Sequence, residues 1–225
     1  MKPKSVLFIH RSVGHNLLKY GHVYNLLKPY EKEFNFSDYD HNDGVLSTSN
    51  SHKKLGYVFP GKNTYPDDLA ALFSKPTTAT KPILDWVSKY DVVLLKSCYP
   101  TTKIKSDKEL EQLKQDYLQI VAYFSKSGQK LGLLTPPPMK PRLTKPEWAN
   151  RARQLSKWLT SNDFGKDVKV FDLFDLLSAS EGTKNANSLK REYKRFLYFD
   201  AHPNRKANLT IAPKFVEFIQ SLVKE

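Results

Sequence analysis

Short apolar runs and longer amphipathic stretches alternate along this chain. Five runs rich in β-branched or apolar residues, each bounded by turn formers, predict strands over Ser5 to His10, Phe34 to Ser37, Asp91 to Lys96, Gln129 to Thr135 and Val168 to Leu173. Between them the apolar period changes to that of a helix. Positions 13, 17, 18, 23, 26 and 27 predict one helix over Val13 to Leu27, which Pro29 ends. A second is expected over Ile83 to Lys89. The clearest covers Asp107 to Lys126, with Leu110, Leu113, Tyr117, Ile120, Val121 and Phe124 on one face, Ser106 as N-cap and Gly128 as stop. Pro146 to Leu159 and Pro213 to Val223 complete the set, each with proline near its first turn. Strands alternating with helices predict an α/β fold whose parallel sheet is covered on both sides.

Two stretches rich in Ser, Asn, Gly and Pro, Asp38 to Asp67 and Thr135 to Pro146, interrupt the pattern and read as long loops. Loops of this length in a compact domain are usually functional, and both would leave the carboxyl edge of the sheet, where open α/β folds bind ligands. No linker-like stretch divides the 225 residues, so residues 1–225 are expected to form a single domain. The longest apolar runs, such as Val92 to Leu95, are strand-sized, so no membrane span is expected. The few apolar residues between Lys4 and His10 are too short for a secretory leader. A cytoplasmic location is therefore expected, unless a leader was removed ahead of residue 1.

The lone Cys98 excludes an intrachain disulfide and a cysteine-based zinc cluster, and His10, His15, His22, His41 and His52 lack metal-ligand spacing. Neither a metal nor a cofactor is expected. The net charge of +13 invites a nucleic-acid partner. Its distribution argues against one: bases are interleaved with acids, as in Lys103 to Asp116. The densest cluster (Lys190, Arg191, Lys194, Arg195, Arg205 and Lys206) comes with no zinc-finger spacing or RNA-binding aromatic signature. The charge reads as solvated surface or attraction for an anionic substrate.

Two segments could carry chemistry. In His10-Arg11-Ser12-Val13-Gly14-His15-Asn16, a serine directly follows the first strand and opens the first helix. There its hydroxyl could act as a nucleophile, while its own N–H and the helix dipole stabilise an oxyanion. The same position also suits a simple helix cap. In Tyr198-Phe199-Asp200-Ala201-His202-Pro203-Asn204, His202 could accept a hydroxyl proton and Asp200 could orient its ring.

Together these blocks resemble the SGNH (GDSL-like) hydrolase superfamily over nearly the whole chain. The resemblance implies a three-layer α/β/α sandwich, flavodoxin-like, around a mainly parallel five-stranded sheet of order 2-1-3-4-5. It also implies a serine hydrolase or esterase that cleaves or transfers the acyl group of a small-molecule or carbohydrate ester. Ser12 would be the nucleophile, His202 the base and Asp200 its partner, with Gly44 of Asn42-Asp43-Gly44 as the block glycine whose N–H joins the oxyanion hole. Two departures stand out. The family aspartate commonly lies three residues before the histidine, where this chain has Phe199, and the third-block asparagine is missing from Lys96-Ser97-Cys98-Tyr99-Pro100. Asn16, Ser97 or a backbone N–H could compensate for Cys98, whose thiol is the poorer donor. Cys98 as nucleophile competes with Cys98 as a small apolar residue closing a strand, and Ser12 already holds the family position. Two other functions fit parts of the sequence. One is a sulfotransferase-like transferase holding phosphate or a nucleotide on the Arg11–Asn16 turn, which leaves the His-Pro-Asn block unexplained. The other is a non-catalytic binding module on the same fold.

Overall fold

The computed structural model describes residues 2–56, 58–61, 64–196 and 200–224. The chain begins with β1 (Lys4–His10), α1 (Ser12–Tyr20), α2 (Val23–Leu27) and β2 (Phe34–Asp40). It continues through β3 (Val45–Ser47), β4 (His52–Lys54), α3 (Pro66–Ser74), α4 (Lys81–Val87) and β5 (Val92–Lys96). The second half holds α5 (Asp107–Ser127), β6 (Lys130–Leu134), α6 (Pro146–Ser161), β7 (Val168–Phe171), α7 (Leu173–Leu177) and α8 (Arg205–Val223).

Seven strands form one sheet in the order β4-β3-β2-β1-β5-β6-β7. The five parallel strands, β2-β1-β5-β6-β7, reproduce the expected 2-1-3-4-5 order. The expected count of five is corrected by an antiparallel hairpin, β3 and β4, within the stretch read as a loop. β4 is His52-Lys53-Lys54 and wholly exposed, so it has no buried face to leave an alternating signature. Two lysines on that strand also discourage pairing with another chain.

Successive side chains of a strand point to opposite faces. Val6 and Phe8 accordingly enter a core shared with α1, α2 and α8, while Leu7 and Ile9 enter one shared with α3, α4, α5 and α6. All four are completely buried. This makes β1 the rigid centre of the sandwich, and Ser12 lies two residues beyond its end.

Two helices differ from expectation. The single helix over Val13 to Leu27 is two, separated at Gly21-His22, where His22 takes a left-handed φ of 54°. A Cβ at Gly21 would lie 2.7 Å from that of Ala212, so the chain turns where its backbone is pressed against α8. The last helix starts at Arg205 rather than Pro213, because the Asn204 side chain accepts the Ala207 N–H and caps it. Pro213 sits on the exposed side within this helix.

Candidate active site

The last residue of β1, His10, is fully buried, and its Nε2 lies 2.8 Å from Asp38 Oδ2 on β2. Tyr24 of α2 donates its hydroxyl hydrogen bond to the other oxygen of Asp38. The network ties the end of β1 to its neighbouring strand and to α2. Gly14 completes the junction: a Cβ there would lie 2.4 Å from that of His10, so only glycine lets α1 start this close to the strand. We expect Asp38→Ala to leave the buried His10 Nε2 without its partner and the Tyr24 hydroxyl with only the Ser47 carbonyl, and to cost about 1–3 kcal/mol. Urea unfolding measures it; a loss below about 1 kcal/mol would show that the network contributes little.

Held in this way, Ser12 is the first residue of α1, and its N–H has no acceptor within the helix. It faces a cavity of about 440 Å³ lined also by Arg11, His15, Asn16, Asp40, Asn42, Asp43, Cys98, Tyr99, Pro100, Arg195 and His202. The cavity lies at the carboxyl ends of β1, β2 and β5, where ligands bind in open α/β sheets. A slightly larger hollow of about 480 Å³ beside Tyr24, Phe36 and Asn50 has serines and a threonine but no histidine or cysteine.

On the far side, Asp200 accepts both the His202 backbone N–H at 2.9 Å and ring Nδ1 at 2.5 Å. Arg195 donates to the other oxygen of Asp200 at 3.3 Å. Burial alone would raise the Asp200 pKa, but the His202 N–H, the His202 ring and Arg195 outweigh it and hold the carboxyl below its usual range. The carboxylate therefore keeps a proton on Nδ1 and leaves Nε2 as the basic nitrogen. That Nε2 is buried and has no hydrogen-bond partner among the described residues. The Tyr99 ring, edge-on at 5.4 Å, packs against the imidazole. Burial lowers the His202 pKa below 6.5 despite the opposing effect of Asp200.

Ser12, Asn16, Cys98 and His202 thus share one cavity. Among the described residues Ser12 makes no hydrogen bond to His202; its Oγ lies 3.9 Å from Cys98 Sγ. Catalytic hydrogen bonds in unliganded enzymes are often long and tighten when substrate arrives. Two residues expected at the oxyanion have their donors engaged elsewhere. Gly44 has the positive φ of a turn glycine, 64°, but its N–H is donated to the Asp40 carbonyl at 2.9 Å and is spent on closing that turn. Ser97 is buried, with its hydroxyl 2.9 Å from that of Tyr117, so it braces β5 against α5. Asn16 remains on the cavity wall, and its carboxamide has no hydrogen bond among the described residues. Phe199, at the usual aspartate position, lies outside the described residues.

The sequence did not single out Tyr99, Arg195 or Asp40. Asp40 could have been found as an acid at the carboxyl end of a strand, and Tyr99 as the aromatic residue within the third-block turn. In the sequence Arg195 is one member of a basic cluster, and nothing local marks it as the one that lines the cavity and contacts Asp200. Among the described residues no helix is long and apolar enough to cross a membrane, and no cluster of three potential metal ligands occurs.

No protein-family model matches the sequence, and no curated protein matches it. Several solved structures share its fold. An esterase from Pseudoalteromonas sp., solved with monoethylphosphonate as inhibitor, is 12% identical, with a TM-score of 0.54 over 99% of this chain and 100% of that one. A GDSL-like lipase from Bacteroides thetaiotaomicron is 9% identical, also with a TM-score of 0.54, over 100% of this chain and 91% of that one. An acetyl xylan esterase is 17% identical, with a TM-score of 0.52 over 96% and 99% of the two chains. The class follows from the architecture: this is a three-layer α/β/α sandwich. More narrowly, it is the fold shared by these esterases and the GDSL-like lipase, at low sequence identity.

Proposed function

We propose that the protein is a serine esterase or acyltransferase. The observation that carries this reading is the common cavity of Ser12 and His202, with the His202 ring held through Nδ1 by Asp200 and its Nε2 unpaired. In the proposed reaction Ser12 Oγ forms a bond to the ester carbonyl carbon while His202 Nε2 takes the hydroxyl proton. The carbonyl π pair moves onto oxygen, near the Ser12 N–H and the Asn16 carboxamide. When the tetrahedral centre collapses, the alcohol leaves with the proton from His202, and water or an acceptor alcohol then releases the acyl group by the same steps. The Asp200 carboxylate stays ionised and orients the ring.

Arg11, Arg195 and His15 in the cavity wall favour an anionic or highly hydroxylated substrate. A carbohydrate ester fits that lining, and one structural neighbour is an acetyl xylan esterase.

A fluorophosphonate probe tests the reading. It is expected to modify Ser12, with labelling lost in His202→Ala; modification elsewhere would end the assignment. Because catalysis needs the neutral ring, and burial lowers its pKa, the acid limb of the esterase pH profile should fall below pH 6.5. A limb clearly above 6.5 would show that another group is the base.

A further inference from the structure

The cavity wall carries a second histidine–carboxylate pair. His15 follows Ser12 by three residues on α1, so the helix sets it on the same face as the serine. Its Nδ1 lies 3.1 Å from Asp40 Oδ2 at the end of β2. The other oxygen, Asp40 Oδ1, accepts the Asn42 backbone N–H at 2.9 Å. Asp40 is buried and held on both oxygens, so the direction of the imidazole is set by the sheet rather than by solvent. The carboxylate keeps the proton on Nδ1. Nε2 points away from it, with no partner among the described residues, on a side chain that is 51% exposed.

On this side of the cavity the Gly44 N–H is committed to the Asp40 carbonyl, so the turn after β2 offers no glycine donor, whereas His15 lines the cavity together with Ser12. We propose that His15, held by Asp40, is a further catalytic residue: a cationic hydrogen-bond donor to the oxyanion, supplied from the β2 side of the cavity. The inference rests on the esterase reading and deepens it.

The electrostatics agree with this division of labour. The hydrogen bond to Asp40 raises the His15 pKa above 6.5, with further help from the charges of Asp40 and Asp38, against burial and Lys19. Arg11, Arg195 and Asp43 are the other charged groups on the same cavity. His202 is shifted the opposite way, chiefly by burial. Two histidines with pKa values pushed apart can serve together as a neutral base and a charged stabiliser. His15 gives a hydrogen bond and keeps its proton throughout; only His202 exchanges one.

The test is the rate at which a fluorophosphonate modifies Ser12, followed from about pH 5 to about 9. In that reaction the Ser12 O–P bond forms as His202 Nε2 takes the hydroxyl proton, the P–F bond breaks with loss of fluoride, and the phosphoryl oxygen takes the place of the oxyanion. The wild-type rate should be bell-shaped, with an alkaline limb that reports loss of the His15 proton. His15→Gln keeps a neutral donor and should abolish that limb. His15→Ala should slow labelling at neutral pH by about a hundredfold. Asp40→Asn should move the alkaline limb to lower pH. An alkaline limb unchanged in His15→Gln, or wild-type labelling in His15→Ala, overturns the inference while leaving the esterase reading intact. Absence of labelling at Ser12 in the wild type overturns both. Because His15 is half exposed, its variants should fold, which thermal melting checks independently of labelling.

Discussion

Ser12→Ala and His202→Ala should each reduce p-nitrophenyl acetate hydrolysis by roughly 10⁴- to 10⁶-fold, and the double variant should lose little more than either one. The expectation of non-additivity follows from the proposed geometry. Without the serine there is no oxygen for His202 to deprotonate, and without the imidazole the hydroxyl proton has no acceptor in the site. Asp200→Asn should cost less, because the carboxylate only sets the tautomer and orientation of the ring. The Ser12→Ala protein should remain folded, since the Ser12 hydroxyl gives the core only a long 3.9 Å contact with Cys98. Thermal unfolding separates lost chemistry from lost structure. Full activity in a folded Ser12→Ala protein would overturn the mechanism, and additive losses in the double variant would show that the two residues work independently.

The parallel part of the sheet was legible in the sequence because buried strands must be apolar: Val92 to Leu95 and Leu131 to Leu134 can fill no other role so economically. The hairpin was hidden because β4 buries nothing and because turn formers dominate its surroundings. The break at Gly21-His22 was hidden for a different reason. Val23 and Leu27 continue the apolar period of α1, since both pack into the same core, so periodicity could not reveal the change of direction. The start of α8 was misplaced because a proline is a stronger visible mark than an asparagine cap.

The site divides along the same line. Ser12 and His202 stand beside element ends, where position alone suggests chemistry. Gly44 matched a family pattern in type, but local spacing could not show that its N–H closes its own turn. The His15–Asp40 pair joins residues 25 apart in sequence, and only the parallel register of β1 and β2 brings the strand end beside the helix. The transferase alternative draws on the arginine and the helix N-terminus, but it assigns no role to the closely held Asp200–His202 pair.

Asn16→Ala should lower turnover about a hundredfold to a thousandfold at every pH while leaving KM nearly unchanged, the signature of a donor used only in the transition state. Cys98 occupies the turn where the resemblance to SGNH hydrolases implies an asparagine, and a thiol donates weakly. The Gly44 N–H is committed elsewhere, and the Ser97 hydroxyl is buried against Tyr117. Asn16 lies four residues beyond Ser12 on the same helix, lines the cavity and has a carboxamide with no hydrogen bond among the described residues. It can therefore supply the neutral donor that the third block lacks. Its loss differs from the loss of His15, which would reshape the pH profile rather than lower it uniformly. Cys98→Asn is the complementary variant. If Asn16 already fills the role, restoring an asparagine at position 98 should change turnover by less than about threefold, but it should rescue much of the activity lost in Asn16→Ala. A large gain in Cys98→Asn alone would mean that the native site lacks this donor. An enzyme indifferent to both substitutions would mean that backbone N–H groups and His15 suffice, and Asn16 would have no part in the chemistry.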